Sequence, residues 1–178
     1  ISVFGCADRK YVLPIVSRLV PAKGNRNKLI IALALVRNLA PTIASKSVRL
    51  LFDSWFMRAR LILPLLSRKM QVIGQARYDT ALFMPPEVLS KPRRGRPKIY
   101  GIKITPEAIQ RLPATEVRLT LYGKEQLIRL RTVVAIARFL KGVPVRAVWC
   151  EFYDADKLCW SKTRLLLATE TRLSAEEV

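Results

Sequence analysis

The spacing of apolar residues changes character along the chain, and each change predicts a different element. Residues 1–8 and Val12–Val20 read as two strands joined by a polar turn at Asp8-Arg9-Lys10, and Pro14 confines the second to an edge or a late start. Lys23-Gly24-Asn25 predicts a turn. Between Arg26 and Ala40, the positions Leu29, Ile30, Leu33, Leu35, Val36 and Leu39 recur at helical spacing. They predict a helix with a broad buried face, ended by Pro41. Val48–Asp53 is apolar at nearly every position, as strands buried on both faces are, and predicts a central strand. Ser54 is a good N-cap, so Trp55–Arg68 reads as a helix that Pro64 should kink or split. Gln71–Ala76 predicts a further strand, and Ala81–Met84 a short one before Pro85-Pro86.

The pattern breaks at Lys91. Lys91-Pro92-Arg93-Arg94-Gly95-Arg96-Pro97-Lys98 contains no acid and suits neither a helix nor the middle of a sheet, so it reads as an extended basic linker. Pro106–Leu112 predicts a short helix. From Glu116 the period becomes two, with Val117, Leu119 and Leu121 alternating with Arg118 and Thr120. Tyr122-Gly123-Lys124-Glu125 reads as a hairpin turn. Leu127–Arg138 continues as a long strand, or runs into a helix-like Val133–Leu140, and Gly142 breaks it. Val145–Tyr153 is a strand, Asp154–Lys157 a turn, and Leu158–Thr169 a strand pair or one long strand. The whole reads as a β-rich block set into an α/β frame. Ser174-Ala175-Glu176-Glu177 has the spacing of a capping box, which announces a helix. That late helix signal and the strand-like start at Ile1 suggest a fragment of a longer protein.

Composition sharpens this picture. Lys and Arg outnumber Asp and Glu 32 to 13, a net charge of +19, while apolar residues make up 51% of the chain. A folded domain so unbalanced calls for an anionic partner, and nucleic acid is the foremost class because phosphate neutralisation supplies most non-specific affinity. A membrane surface is the second class, but the Arg26–Ala40 helix is too apolar around its circumference to serve as a basic amphipathic anchor. The longest apolar run, Leu29–Val36, stops at Arg37 and is too short to span a bilayer. There is no histidine, which excludes Ser-His and Cys-His catalysis and every His-ligated metal. Cys6, Cys150 and Cys159 are odd in number and lack CxxC spacing, which argues against a disulfide framework and a structural zinc site. Any metal would be held by oxygen, favouring Mg²⁺ or Mn²⁺.

Asp53 is the leading candidate residue. An acid at the tip of an apolar strand, in a very basic chain, suits a metal ligand facing nucleic acid; it equally suits the start of a helix. The second candidate is the set Arg93, Arg94, Gly95, Arg96, Pro97 and Lys98. Gly allows close approach, Pro holds the backbone extended, and the arginines can enter a narrow, strongly negative A·T minor groove, as in an AT-hook. The alternative is a solvated basic linker. The remaining acids read mainly as structural: Asp154 and Asp156 as turn formers, Asp79 as a cap or partner of Arg77, Glu125 in a hairpin, and Glu151 as an arginine partner or, as the lesser alternative, a metal ligand. Trp55, Trp149 and Trp160 read as core, with stacking on a base as the alternative for one that is exposed.

Beyond these physical signals, Leu51-Phe52-Asp53-Ser54-Trp55-Phe56, Val72–Leu82 and Arg94–Gly101 together resemble bacterial insertion-sequence transposases of the DDE superfamily. Ser17–Val20 with Gly24–Leu29, and Leu165–Glu170 leading into Ser174–Glu177, resemble that family too. The resemblance implies an RNase H-like mixed sheet with flanking helices, in which two Asp and one Glu hold two divalent metals, Mg²⁺ or Mn²⁺. These cut transposon ends and join them to target DNA. It implies that Asp53 is the second Asp, that the first Asp and the Glu fall outside these residues, and that this segment alone is inactive. It implies a partial catalytic core over 1–88, a basic AT-hook-like linker over 89–104, a β-rich insertion over 105–169 and the start of a returning helix over 170–178. DNA is the implied partner, with assembly as a homo-oligomer on it, in the nucleoid-associated space of a bacterial cytoplasm. The rival reading is a non-catalytic DNA- or RNA-binding module.

Overall fold

The computed structural model describes residues 2–4, 12–14, 16–18, 26–43, 48–87, 95, 97–121 and 123–178. The turns expected at Asp8-Arg9-Lys10 and Lys23-Gly24-Asn25 lie outside them, as do Tyr122 of the hairpin turn and Arg93, Arg94 and Arg96. The chain divides into two compact units, residues 1–48 and 49–178.

In the first unit, β1 (Ser2–Phe4) pairs antiparallel with β2 (Val12–Pro14). Helix α1 spans Arg26–Ile43. It does not stop at Pro41 as the sequence suggests, but runs on to Ile43. A proline this close to the C-terminal end removes a single hydrogen bond from the last turn, which the helix tolerates.

The second unit is built on a mixed eight-stranded sheet. Its elements are β3 (Arg49–Phe52), α2 (Ala59–Leu66), β4 (Gln71–Ala76), β5 (Leu82–Phe83), α3 (Pro106–Arg111), β6 (Thr115–Leu121), β7 (Lys124–Ala137), a 3₁₀ turn at Arg138–Leu140, β8 (Pro144–Asp154), β9 (Cys159–Trp160) and β10 (Arg164–Ala168). The main order is β3-β4-β10-β8-β7-β5, with β6 also on β7 and β9 on β8. β3 and β4 run parallel, joined through α2, and the other pairings are antiparallel. Because β10 pairs with both β4 and β8, the strands after residue 105 share one sheet with β3 and β4. The architecture is α/β with few helices, as the sequence pattern implies.

β3 differs from its expectation. It has one strand partner among the described residues, β4, and lies at the end of the strand order rather than at its centre. Its side chains alternate between exposed and half-buried, and Leu51 is 58% exposed. An apolar run signals burial on two faces only if cover exists for both, and period alone does not report the cover.

The core lies on both faces of the inner strands. Leu61, Ile62 and Leu65 form the buried stripe of α2, which packs on β4 and on the 3₁₀ turn. Val72, Val145, Trp149, Leu165 and Leu167 are buried in the sheet, with Leu82 and Leu140 at its end. A second cluster joins Ile128, Leu130, Val148 and Cys150, flanked by Val117, Leu119, Phe152 and Leu166. Thr169 latches the end of β10 to the start of β4: its hydroxyl accepts from the Val72 N–H at 2.9 Å and donates to Gln71 Oε1 at 2.7 Å. The capping box forms reciprocally. The Ser174 N–H donates to Glu177 Oε2 at 2.8 Å, and the Glu177 N–H donates to Ser174 Oγ at 3.3 Å, around a turn at 175–177.

Candidate nucleic-acid interface

Asp53 follows the last residue of β3, at the C-terminal tip of the parallel β3–β4 pair, and is exposed. The helix expected to begin at Ser54 does not. Asp53 Oδ1 accepts the N–H of Trp55 at 2.9 Å and of Phe56 at 3.2 Å, and the Asp53 carbonyl also accepts from Phe56. A short acidic side chain that ties up the next amides favours a turn over a helix. The chain therefore turns through 54–56, and α2 begins only at Ala59, with Arg58 as an N-cap that makes no side-chain cap bond. Pro64 then falls within the eight-residue helix instead of dividing a longer one.

Gly74 makes the turn's next contact possible. It pairs with Phe52 in the parallel ladder, and a Cβ there would stand 2.5 Å from Met57 Sδ and 2.6 Å from the Phe52 carbonyl oxygen. Met57 packs into the space that the missing side chain leaves, which draws the 54–58 segment down onto the tip of β4.

Beside this turn opens a cleft of about 430 Å³. Ser54, Met57, Arg58 and Ala59 line it from the β3–α2 side; Ala76, Arg77, Asp79, Thr80 and Ala81 from the end of β4; and Arg138 and Phe139 from the turn after β7. Arg77 is held by Asp79 through two bonds, Nε to Oδ1 at 3.1 Å and Nη2 to Oδ2 at 2.9 Å. Arg58 and Arg138 have no ion-pair partner among the described residues. Three guanidiniums thus face one carboxylate, and the carboxylate is already paired.

Of the basic segment, Gly95, Pro97 and Lys98 are described, and all three are exposed. Gly95 has φ +108, a conformation that L side chains rarely adopt. The chain that follows is pinned to β5. The Gly101 N–H donates to the Met84 carbonyl, the Met84 N–H to Ile102, and the Ile104 N–H to Leu82. Phe83 and Tyr100 meet at 5.1 Å between ring centroids. Gly101 is required there, since a Cβ would lie 2.6–2.7 Å from the carbonyl oxygens of Pro85 and Met84.

A metal centre of the expected kind needs several converging carboxylates. Asp53 brings one. Among the described residues, no three or more His, Cys, Asp or Glu come together as a metal-holding group. The donor set within these residues does not by itself fit a two-metal site.

The other acids take structural partners. Glu151 faces Arg131 at 3.3 Å and Arg129 at 3.8 Å and accepts from the Thr163 hydroxyl at 2.7 Å. Arg129 also bonds Glu116 and stacks 3.9 Å over Trp160. Asp154 Oδ1 accepts the N–H groups of Asp156 and Lys157 and closes their turn. Trp149 is buried as expected, whereas Trp55 and Trp160 are half-buried. Glu170 is held below the usual carboxylate range, first by its bond to Arg49 Nε at 2.8 Å and then by Arg172.

Arg58, Arg77 and Arg138 escape sequence reasoning because each reads locally as one more surface cation. Their convergence depends on the β5–β7 register, which sets Leu82 opposite Ala137 and so brings Arg138 to the end of β4. Among the described residues, no helix is long and apolar enough to cross a membrane. The chain matches no model of a known protein family and no curated protein.

Proposed function

We propose that this chain is a segment of a DNA transposase of the DDE superfamily, with an RNase H-like sheet as its frame, that works on DNA in the bacterial cytoplasm and assembles as a homo-oligomer on it. The observation that carries the reading is Asp53 at the exposed tip of a parallel strand within a mixed sheet, immediately before the residue that opens a basic cleft. Strand tips are where open α/β sheets build their sites. The net charge of +19 and the Arg93–Lys98 segment suit the same partner. On this reading Asp53 supplies one of three carboxylates for Mg²⁺ or Mn²⁺. The other two come from outside residues 1–178, so the chain alone binds DNA without cutting it.

The bonds from Trp55 and Phe56 to Asp53 favour a second reading, a non-catalytic DNA- or RNA-binding module in which Asp53 only shapes a turn. Asp53→Asn separates the two, because an amide oxygen still accepts both N–H groups while the charge is lost. Strand cleavage by the complete gene product with Mg²⁺ or Mn²⁺, measured on end-labelled duplex, is expected to vanish in Asp53→Asn while binding and melting temperature hold. Undiminished cleavage in that variant removes Asp53 from the chemistry. A wild-type product that binds but never cuts leaves the module reading standing.

A further inference from the structure

The described part of the basic segment and the cleft are joined by one contact. A Cβ on Gly142 would stand 2.5 Å from Ile99 Cγ2, so Ile99 is seated directly against the Lys141-Gly142 turn. Gly142 can take this turn because its φ is +96. Lys98 and Lys141 are each one residue from that contact, and both are exposed. Lys141 in turn caps the 3₁₀ turn that begins with Arg138, which lines the same cleft as Arg58. Two restraints in series through β5 hold this arrangement: the 101–104 segment bonded along it, and β5 paired to Ala137 next to Arg138.

We infer that Lys98, Lys141, Arg138 and Arg58 form one continuous cationic track that seats the sugar–phosphate backbone of duplex DNA, leading from the basic segment into the cleft beside Asp53. The inference rests on the DNA reading above and deepens it by naming where the backbone runs. None of the four side chains has an ion-pair partner among the described residues, a state they share with other exposed cations such as Lys124 and Lys162; what sets the four apart is their succession from the Ile99–Gly142 contact through the 3₁₀ turn to the cleft. Paired cations are neutralised where they stand; the unpaired ones must find their counter-charge in solution or on a ligand. A succession of cations along a path selects a polyanion over a single small phosphate. Each phosphate contact releases counterions, so the track has a signature in salt dependence that a structural role would not produce.

The test is duplex binding by the 178-residue chain, followed by fluorescence anisotropy across a salt series. With about 0.9 of log–log slope per phosphate contact, Arg58→Gln/Arg138→Gln is expected to flatten the slope by about 2 and to weaken binding on the order of 50-fold at ~0.1 M salt. Arg58→Lys/Arg138→Lys keeps both charges and is expected to keep the slope, which covers the case in which the glutamine variant folds poorly. Lys124→Gln/Lys162→Gln removes the same charge away from the track, from exposed positions, and is expected to change binding less than about threefold. An unchanged slope in the Arg58→Gln/Arg138→Gln variant overturns the track. So does an equal loss in the Lys124/Lys162 variant, or loss of the slope in the lysine-for-arginine variant. If the track variant binds normally while Arg93→Gln/Arg94→Gln/Arg96→Gln does not, the track falls and the DNA reading stands. If the wild-type chain ignores duplex DNA and takes double-stranded RNA or anionic vesicles instead, both fall.

Discussion

Gly74 decides more than its size suggests. It lies where β4 pairs with the last residue of β3, and its missing side chain is what admits Met57. Alanine there meets a flexible thioether that can retreat, but also the Phe52 carbonyl at 2.6 Å, which belongs to the ladder and cannot. Overpacking of this kind costs about 1–3 kcal/mol. Gly74→Ala is therefore expected to lower the urea-unfolding free energy by that amount, with an unchanged denaturant slope. A neutral substitution would mean that β3 and β4 stand further apart than described. Asp53 carries a different lesson. The sequence places it at the end of a strand, as observed, but its hydrogen bonds convert the expected helix start into a turn. Competition between a side-chain oxygen and the helix for the same amides is a choice the surrounding packing makes, so the place of Asp53 just after a strand was legible and its local geometry was not.

At the scale of elements, legibility follows the strength of the period. The alternation from Glu116 onward anticipates β6, because a half-buried antiparallel strand leaves period two in its sequence, whereas β7 and β8 bury consecutive positions and the sequence leaves β7 open between a strand and a strand running into a helix. The β3 run is apolar although it lies at the end of the strand order, a placement the period cannot distinguish from a central one, and α2 begins four residues later than Trp55 because Asp53 holds the amides that would start it. Glu170 ties two distant elements, bonding Arg49 of β3 from just beyond β10. Its bonds to Arg49 and then Arg172 depress the carboxyl pKa below its ordinary value near 4.5. A depressed folded-state pKa gives stability that is complete above the unfolded value and disappears as pH falls through the folded one. Melting temperature should therefore drop between about pH 5 and 3 in the wild type, and Glu170→Gln should start lower at neutral pH and fall less steeply. Parallel curves for the two proteins would show that the Arg49–Glu170 bond does not form in solution.

The whole molecule is governed by charge. A surplus of 19 positive charges over 178 residues opposes compaction through self-repulsion. Raising NaCl from ~10 to ~200 mM shortens the Debye length from about 30 Å to below 10 Å, and is expected to raise the melting temperature of the free chain. A decrease would mean that the paired residues, such as Glu151 with Arg129 and Arg131, outweigh the repulsion. The overall charge was plain from composition, but the cleft was not, since its cations come from positions 58, 77 and 138 and meet only through strand pairing.

That pairing has one further result. On one flank β7 is held by β6 as far as Leu130 and by β5 from Ile136, and between those grips residues 131–135 have, among the described residues, β8 on the other flank as their one strand partner. Arg131 and Trp149, opposite each other at this interval, carry the two buried side-chain nitrogens that find no acceptor among the described residues. Across this interval the β7 ladder therefore rests on β8, which makes the Arg131–Trp149 rung the seam on which the run from the Gly123 hairpin to Arg138 depends.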